Sequence, residues 1–465
     1  MQAERGTGAA IMALRPSVLV VLSAALVALA GTPGFSTSSA SVLDPGTPIQ
    51  HVIVLYQENH SFNEVLGWLC QDNDHPCLGT GTGTLPDGSS IELKPAPDLV
   101  PNVDHETGAQ SRAIDGGRMD GFAENNGCGA AQDYQCYDQE QPKSIPNLAV
   151  LAKRYAISDH TFELSAVPSW GAHLELAAGT LDGFVGNNPH AVAGNPAGAG
   201  WGCDSYRNTP WISPSGERLQ VPSCVPDQEG NGPYTGPGTS PVSWVPTIMD
   251  SLDQAGRSWK IYATPGTNGQ ATPYGWAICP TFADCLYSGQ SQNMAQPTQV
   301  VDDAQSGNLP NLSIVIPDAP NSQHNGWSML QGDNWIGSVV NAVMSGPDWN
   351  STAVFITYDD CGCFYDEVPP PGGLGIRVPM VIVSPYAKLG YVDSNTASFA
   401  SLLAFTEHVF GLPPLSDADA TAYDYTDAFD FTQPPTPGVH LQSHPVPRWE
   451  WARLKANPPP ANDPT

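Results

Sequence analysis

Two short acidic clusters, about three hundred residues apart, each follow an apolar run of the length of a buried strand. Gln57-Glu58-Asn59 follows His51 to Tyr56, and Asp359-Asp360 follows Ala353 to Tyr358. Strands that are apolar throughout, without alternation, belong to a sheet covered on both faces, and such sheets are mostly parallel. Ligands of open α/β sheets sit at the carboxyl ends of the strands, where both clusters fall. Carboxylates gathered in a buried place need a cation or another partner, because unpaired buried charge is too costly. The bland alternatives are a helix N-terminal turn at Glu58-Asn59 and an Asp-rich turn at Asp359-Asp360.

Strand and helix signals alternate along the chain, which predicts βαβ units. Strands are expected at 50–56, 258–263, 312–316, 353–358 and 379–384, with a short one starting at 156. Helices are expected at 61–69, 145–155, 169–178, 246–255, 333–344 and 398–410. Residues 180–242, rich in Gly, Pro, Asn and Ser, read as a long irregular excursion. The fold class is therefore α/β: a mostly parallel central sheet sandwiched by helices, with one disulfide-tied loop excursion. Residues 1–40 read as a signal peptide and linker, from Arg5 and Arg15 and the apolar run Val18 to Ala30. Residues 41–432 form the catalytic domain and 433–465 a Pro-rich tail lying extended over the surface.

The chain has 17 Lys and Arg against 46 Asp and Glu, a formal charge of -29. Such a surface repels nucleic acid and anionic membranes unless a local basic patch intervenes, and the reading finds none. No membrane span is expected once the signal is removed. Ten cysteines suit an exported protein. Neighbour spacing predicts Cys70–Cys77, Cys128–Cys136, Cys203–Cys224 and Cys279–Cys285 bridges. Cys361 and Cys363, with one residue between them, are expected to be reduced or paired elsewhere.

Ser169 opens a helix, where backbone N–H groups and the positive end of the helix dipole favour a phosphate or an alkoxide. Taken by itself, it reads first as an ordinary helix cap. His105, His173 and His324 stand in polar or Gly-containing surroundings suited to a general acid or a phosphate donor.

Taken in order, the segments resemble the bacterial phosphoesterase family that contains phospholipases C and secreted acid phosphatases. The matching runs are 51–62, 117–122, 167–170, 247–252, 258–262, 356–366, 375–380 and 383–385. The resemblance implies an alkaline-phosphatase-like fold. It implies metal ligands at Glu58, Asn59, Asp359 and Asp360, a nucleophile at Ser169 that also meets the metal, and pocket histidines at His105 and His324. The all-oxygen ligand set favours Ca²⁺, Mg²⁺ or Mn²⁺ over Zn²⁺.

Three departures stand out. Gly171-Ala172-His173 replaces a Pro-Asn-Arg run, so His173 is expected to take over a phosphate contact. Ser398-Phe399 stands where an Asp-His is common, and Cys361-Gly362-Cys363 replaces His-Gly-Gly. The expected activity is secreted, metal-dependent hydrolysis of phosphate esters through a Ser nucleophile, with soluble phosphomonoesters favoured. Phospholipase C action on a phospholipid headgroup is the alternative, and an extracellular Ca²⁺-binding protein the non-enzymatic one.

Overall fold

The apolar run after Gln50 forms strand β1, His51–Gln57, in which every residue past His51 is buried. The structure, a computed structural model, describes residues 46–71, 75–195, 198, 200–234, 240–264 and 276–459. The expected signal segment lies outside them. The remaining strands of the main sheet are β2 (Ala156–Ser158), β3 (Trp259–Tyr262), β4 (Met294–Ala295), β5 (Leu312–Val315), β6 (Thr352–Tyr358), β7 (Met380–Val383) and β8 (Val392–Asp393). Their order is β4-β3-β5-β1-β6-β7-β2-β8. Only β7 runs against its neighbours β6 and β2; the other pairings are parallel.

β1 and β6 are adjacent and in register from His51 opposite Thr352 to Gln57 opposite Tyr358. The next residues on each strand are therefore Glu58 and Asp359, side by side. Alternate residues face opposite sides, so Val52, Val54 and Phe355 enter one core while Ile53, Leu55, Val354 and Ile356 enter the other. Helices α1 (Phe62–Val65), α2 (Pro146–Arg154), α3 (Ser169–Ala178), α4 (Ile248–Gln254), α5 (Gln299–Ser306), α6 (Met329–Ser345) and α7 (Phe399–Phe410) surround the sheet. Leu174 of α3 and Leu402 of α7 fill the first core, and Leu148 of α2 and Val339 of α6 fill the second.

Several elements differ from the expected ones for local reasons. α6 starts four residues early because the Ser328 hydroxyl accepts from the Gln331 N–H at 3.1 Å and caps the helix. The helix expected at 61–69 ends at Val65, and the chain turns at Gly67 towards the Cys70–Cys77 bridge. The excursion at 180–242 is not wholly irregular: His190–Ala191, Arg207–Ile212 and Arg218–Pro222 pair as a small antiparallel sheet. The tail is not extended throughout. Pro447 ends the Pro-rich run, and good helix formers between Pro447 and Pro458 build α8, Arg448–Ala456.

All four predicted disulfides form. Cys361 and Cys363 are free thiols with sulfurs 3.8 Å apart. No helix among the described residues is long and apolar enough to cross a membrane.

Candidate active site

Past the end of β1, Asn59 turns the chain in the left-handed region, at φ 63°, a conformation Asn adopts more readily than most residues. Its backbone N–H donates to Asp359 Oδ1 at 2.8 Å, and the Asp360 N–H donates to the same oxygen at 2.8 Å. Asp360 Oδ1 in turn accepts from the Gly362 N–H at 2.7 Å. Gly362, at φ 55°, packs so closely that a Cβ would lie 2.1 Å from the Asn59 carbonyl oxygen. The two loops thus lock each other, and Glu58, Asn59, Asp359 and Asp360 are all fully buried.

Ser169 is the first residue of α3, and Pro168 precedes it as the cap without a capping hydrogen bond. Its hydroxyl turns instead to the strand end, where Oγ donates to Glu58 Oε2 at 3.2 Å and meets Asn59 Oδ1 at 3.3 Å. The plain helix-cap reading is therefore overturned, since the hydroxyl is used across the fold. One turn later on the same helix face is His173. Its Nε2 lies 3.4 Å from Glu58 Oε1 and 3.8 Å from Asp359 Oδ2. The imidazole stands among the carboxylates, where a phosphate contact had been expected.

Glu58, His173 and Asp359 each offer an atom within 4.8 Å of the others, and all three are buried. Glu58 Oε1, Asp359 Oδ2 and His173 Nε2 have no hydrogen-bond partner among the described residues. Two carboxyl oxygens and a nitrogen aimed at one buried place form a donor set that fits a divalent cation.

The Asn59 side chain supplies an independent indication. One end of its amide lies 3.1 Å from Asp359 Oδ1 and 3.3 Å from Asp360 Oδ2; the other lies 3.3 Å from His105 Nε2 and 3.1 Å from His324 Nε2. His105 Nδ1 lies 2.8 Å from the Val103 carbonyl and His324 Nδ1 lies 3.4 Å from the Asn325 carbonyl. A carbonyl only accepts, so the 2.8 Å contact puts a proton on His105 Nδ1. With the Asn59 nitrogen on the carboxylate side, both Nε2 atoms would have to donate to its oxygen. With the oxygen on that side, beside Glu58 and the Ser169 hydroxyl, the cluster gathers oxygens suited to a cation.

Burial raises the Glu58 and Asp360 carboxyls well above their ordinary range, and the Asp359 charge adds to it. Burial lowers His173 to about 4, leaving a neutral imidazole fit to bind a metal. Where an Asp-His is common, Phe399 packs edge-on against Tyr56 at 5.5 Å, and Tyr56 against His173 at 4.7 Å. An aromatic wall thus backs His173.

The sequence reading missed three supporting residues. Glu163 Oε1 accepts the Cys361 N–H at 2.8 Å and braces the second acidic loop. Gln110 Nε2 donates to Val167 and His105 carbonyls at 2.8 and 3.3 Å, tying the His105 loop to the approach to Ser169. Trp276 lies against His324, with ring centres 5.5 Å apart. None sits in a run that marks it in sequence; each is found only by contact.

A model of the phosphoesterase family matches residues 49–413. The chain is similar to the non-hemolytic phospholipase C of Burkholderia pseudomallei, 30% identical over 272 residues, covering 45% of this chain and 39% of that protein. It is similar to phospholipase C A of Mycobacterium tuberculosis, 25% identical over 465 residues, covering 86% of this chain and 81% of that protein. It is also similar to the non-specific phospholipase C6 of Arabidopsis thaliana, 23% identical over 444 residues, covering 82% and 72%. The chain thus spans well under half of the Burkholderia protein and about four fifths of the mycobacterial one.

Proposed function

The chain belongs to the phosphoesterase family and is a phosphoric ester hydrolase, and we propose that it acts as a secreted phospholipase C on phospholipid phosphodiesters. The observation that carries the reading is the Ser169 hydroxyl, which forgoes capping its own helix to meet Glu58 and Asn59 in a buried carboxylate cluster. Sequence alone favoured soluble monoesters, on the strong negative charge. The relatives named as phospholipases C support the diester reading over that one. Secretion rests on the signal-like N-terminus and is supported by four disulfides. An alkaline-phosphatase-like arrangement is the fold reading we carry forward from the family resemblance.

In this reading Glu58, Asn59, Asp359, Asp360 and His173 hold one divalent cation beside Ser169. With an imidazole in the set, Mn²⁺ fits better than Ca²⁺. Such a cation, when bound, lowers the pKa of a neighbouring hydroxyl and offsets charge on phosphoryl oxygens. Ser169 Oγ attacks phosphorus, and its proton passes to Glu58 Oε2, to which it is already hydrogen-bonded. The bond from phosphorus to the diacylglycerol oxygen breaks, and that oxygen takes a proton from the His105–His324 pair, entering the step with one imidazole protonated. Water then attacks phosphorus and gives a proton to the histidine pair, while Glu58 returns its proton to Ser169 Oγ as the phosphoseryl bond breaks and the phosphorylated headgroup leaves. His105 and His324 also aim the Asn59 amide.

Ser169→Ala tests the assignment. Diacylglycerol release from phosphatidylcholine should fall by more than about a thousandfold with the melting temperature within a degree or two of the parent. Undiminished release would remove Ser169 as nucleophile. A wild-type chain that cleaves a chromogenic monoester but no phospholipid would return the reading to a phosphomonoesterase.

A further inference from the structure

The helix α8 stands out in an otherwise acidic chain. Three of the 17 Lys and Arg, namely Arg448, Arg453 and Lys455, fall within its nine residues, and all three are exposed. It also carries the two most exposed tryptophans, Trp449 at 63% and Trp451 at 44%. Glu450 and Leu454, one turn apart, are the residues it buries. At 3.6 residues per turn, Trp449 and Trp451 lie on either side of that inward seam. Arg448, Ala452 and Lys455 fill the outward face between the two indoles. The local basic patch that the sequence reading did not find is here, and the tertiary fold exposes it.

The helix is seated beside the catalytic loops. With Pro97–Asn102 and Asn325–Gly326 it lines a cavity of about 760 Å³. Pro459, just past the helix, comes within 3.0 Å of the place a Cβ would occupy on Gly326. Gly326 is two residues from His324, so the contact lies within roughly 7 Å of that residue's Cα along the chain. Asn102 accepts from Asn325 Nδ2 at 3.3 Å and is three residues from His105. The same two loops therefore carry the helix on one side and the pocket histidines on the other.

We infer that the outward face of α8 docks on a phospholipid bilayer containing anionic lipid and holds the catalytic pocket at its headgroups, an inference that rests on the phospholipase reading. Charge complementarity commits the occupant. Guanidinium and ammonium groups pair with headgroup phosphates, and indoles settle at the boundary between headgroups and acyl chains. A protein partner would call for a contiguous apolar stripe, but Leu454 is turned inward and cations separate the indoles. The chain's charge of -29 does not forbid the contact, because screening confines repulsion to about 8 to 10 Å.

The test is co-sedimentation of the full chain with phosphatidylcholine vesicles containing phosphatidylglycerol, run with the cation present. The parent should sediment with vesicles. Trp449→Ser with Trp451→Ser should lower the partition coefficient at least about tenfold, and Lys455→Glu about fivefold or more. Hydrolysis of a soluble, short-chain phosphodiester and the melting temperature should be unchanged in both variants. Equal partitioning of parent and variants, or no sedimentation of the parent, overturns the proposal. So does a parent dimer in analytical ultracentrifugation that the tryptophan variant abolishes, which would assign the face to a second copy. Vesicle binding lost in the variants, with no lipid cleaved by the parent, would uphold the docking surface and sink the phospholipase reading instead.

Discussion

Stripping the cation from this protein should make its stability fall as pH rises, and restoring the cation should remove most of that dependence. Glu58 and Asp360 are buried, and burial first and the Asp359 charge second raise both carboxyls well above their ordinary range. A carboxyl with a raised folded pKa keeps a proton in the native chain that the unfolded chain gives up. Between the two pKa values the native state binds more protons, so the unfolding free energy decreases with pH. The stabilisation is complete below the unfolded pKa, near 4, and is lost progressively as pH climbs towards the folded value. Each such carboxyl contributes a slope of up to about 1.4 kcal/mol per pH unit, and the two together about 2.7 kcal/mol. With roughly 2.1 cal/mol/K of unfolding entropy per residue, a chain of this length shifts its melting temperature by about 1 °C per kcal/mol. The cation-free protein should therefore lose about 3 °C per pH unit between about pH 5 and 7, beyond what the loaded protein loses. A bound cation competes with the proton for the same oxygens and keeps both carboxyls ionised, which is why loading flattens the curve. Other buried acids whose carboxyls are also raised by burial, among them Glu64, Asp138 and Glu140, tilt both curves alike. The difference between calorimetric scans in chelator and in Mn²⁺ is thus the quantity to read. Parallel curves would refute the argument that these carboxylates share a cation.

Gly362→Ala should cost about 1 to 3 kcal/mol of stability, because the position has φ 55° and the added Cβ would collide with the Asn59 carbonyl. Thermal unfolding reads that loss, and cation affinity should fall with it, since the collision separates the two acidic loops. His173→Gln should weaken cation binding by more than about tenfold in titration calorimetry. An unchanged affinity would exclude the imidazole from the ligand set.

The sequence made the strands and the acidic clusters legible because both are local properties. A short run of almost wholly apolar residues announces a strand covered on both faces, and carboxylates at its end announce a place for a ligand. The neighbour disulfides were legible for the same reason, since a short loop brings its cysteines together without help from the fold. Ser169 was legible only through the family resemblance, because a Ser at a helix start taken alone reads as a cap, and only the position of Glu58 reveals the contact across the fold. The place of His173 among the carboxylates was not legible, because its neighbours in sequence say nothing of Tyr56 and Phe399, which back it there. The tail was read as extended on its prolines, although the ten residues between Pro447 and Pro458 contain none.

By itself the sequence determined that β1 and β6 are buried strands and that each ends in groups able to hold a cation, since burial and charge follow from composition over a few residues. Only the tertiary structure decided that the two strands lie side by side in register, with Glu58 next to Asp359. Strand order is a long-range choice, fixed by how both faces of the sheet pack and not by either strand alone. The same packing brings α3 over the strand ends, and with it the hydroxyl and the imidazole that complete the cluster.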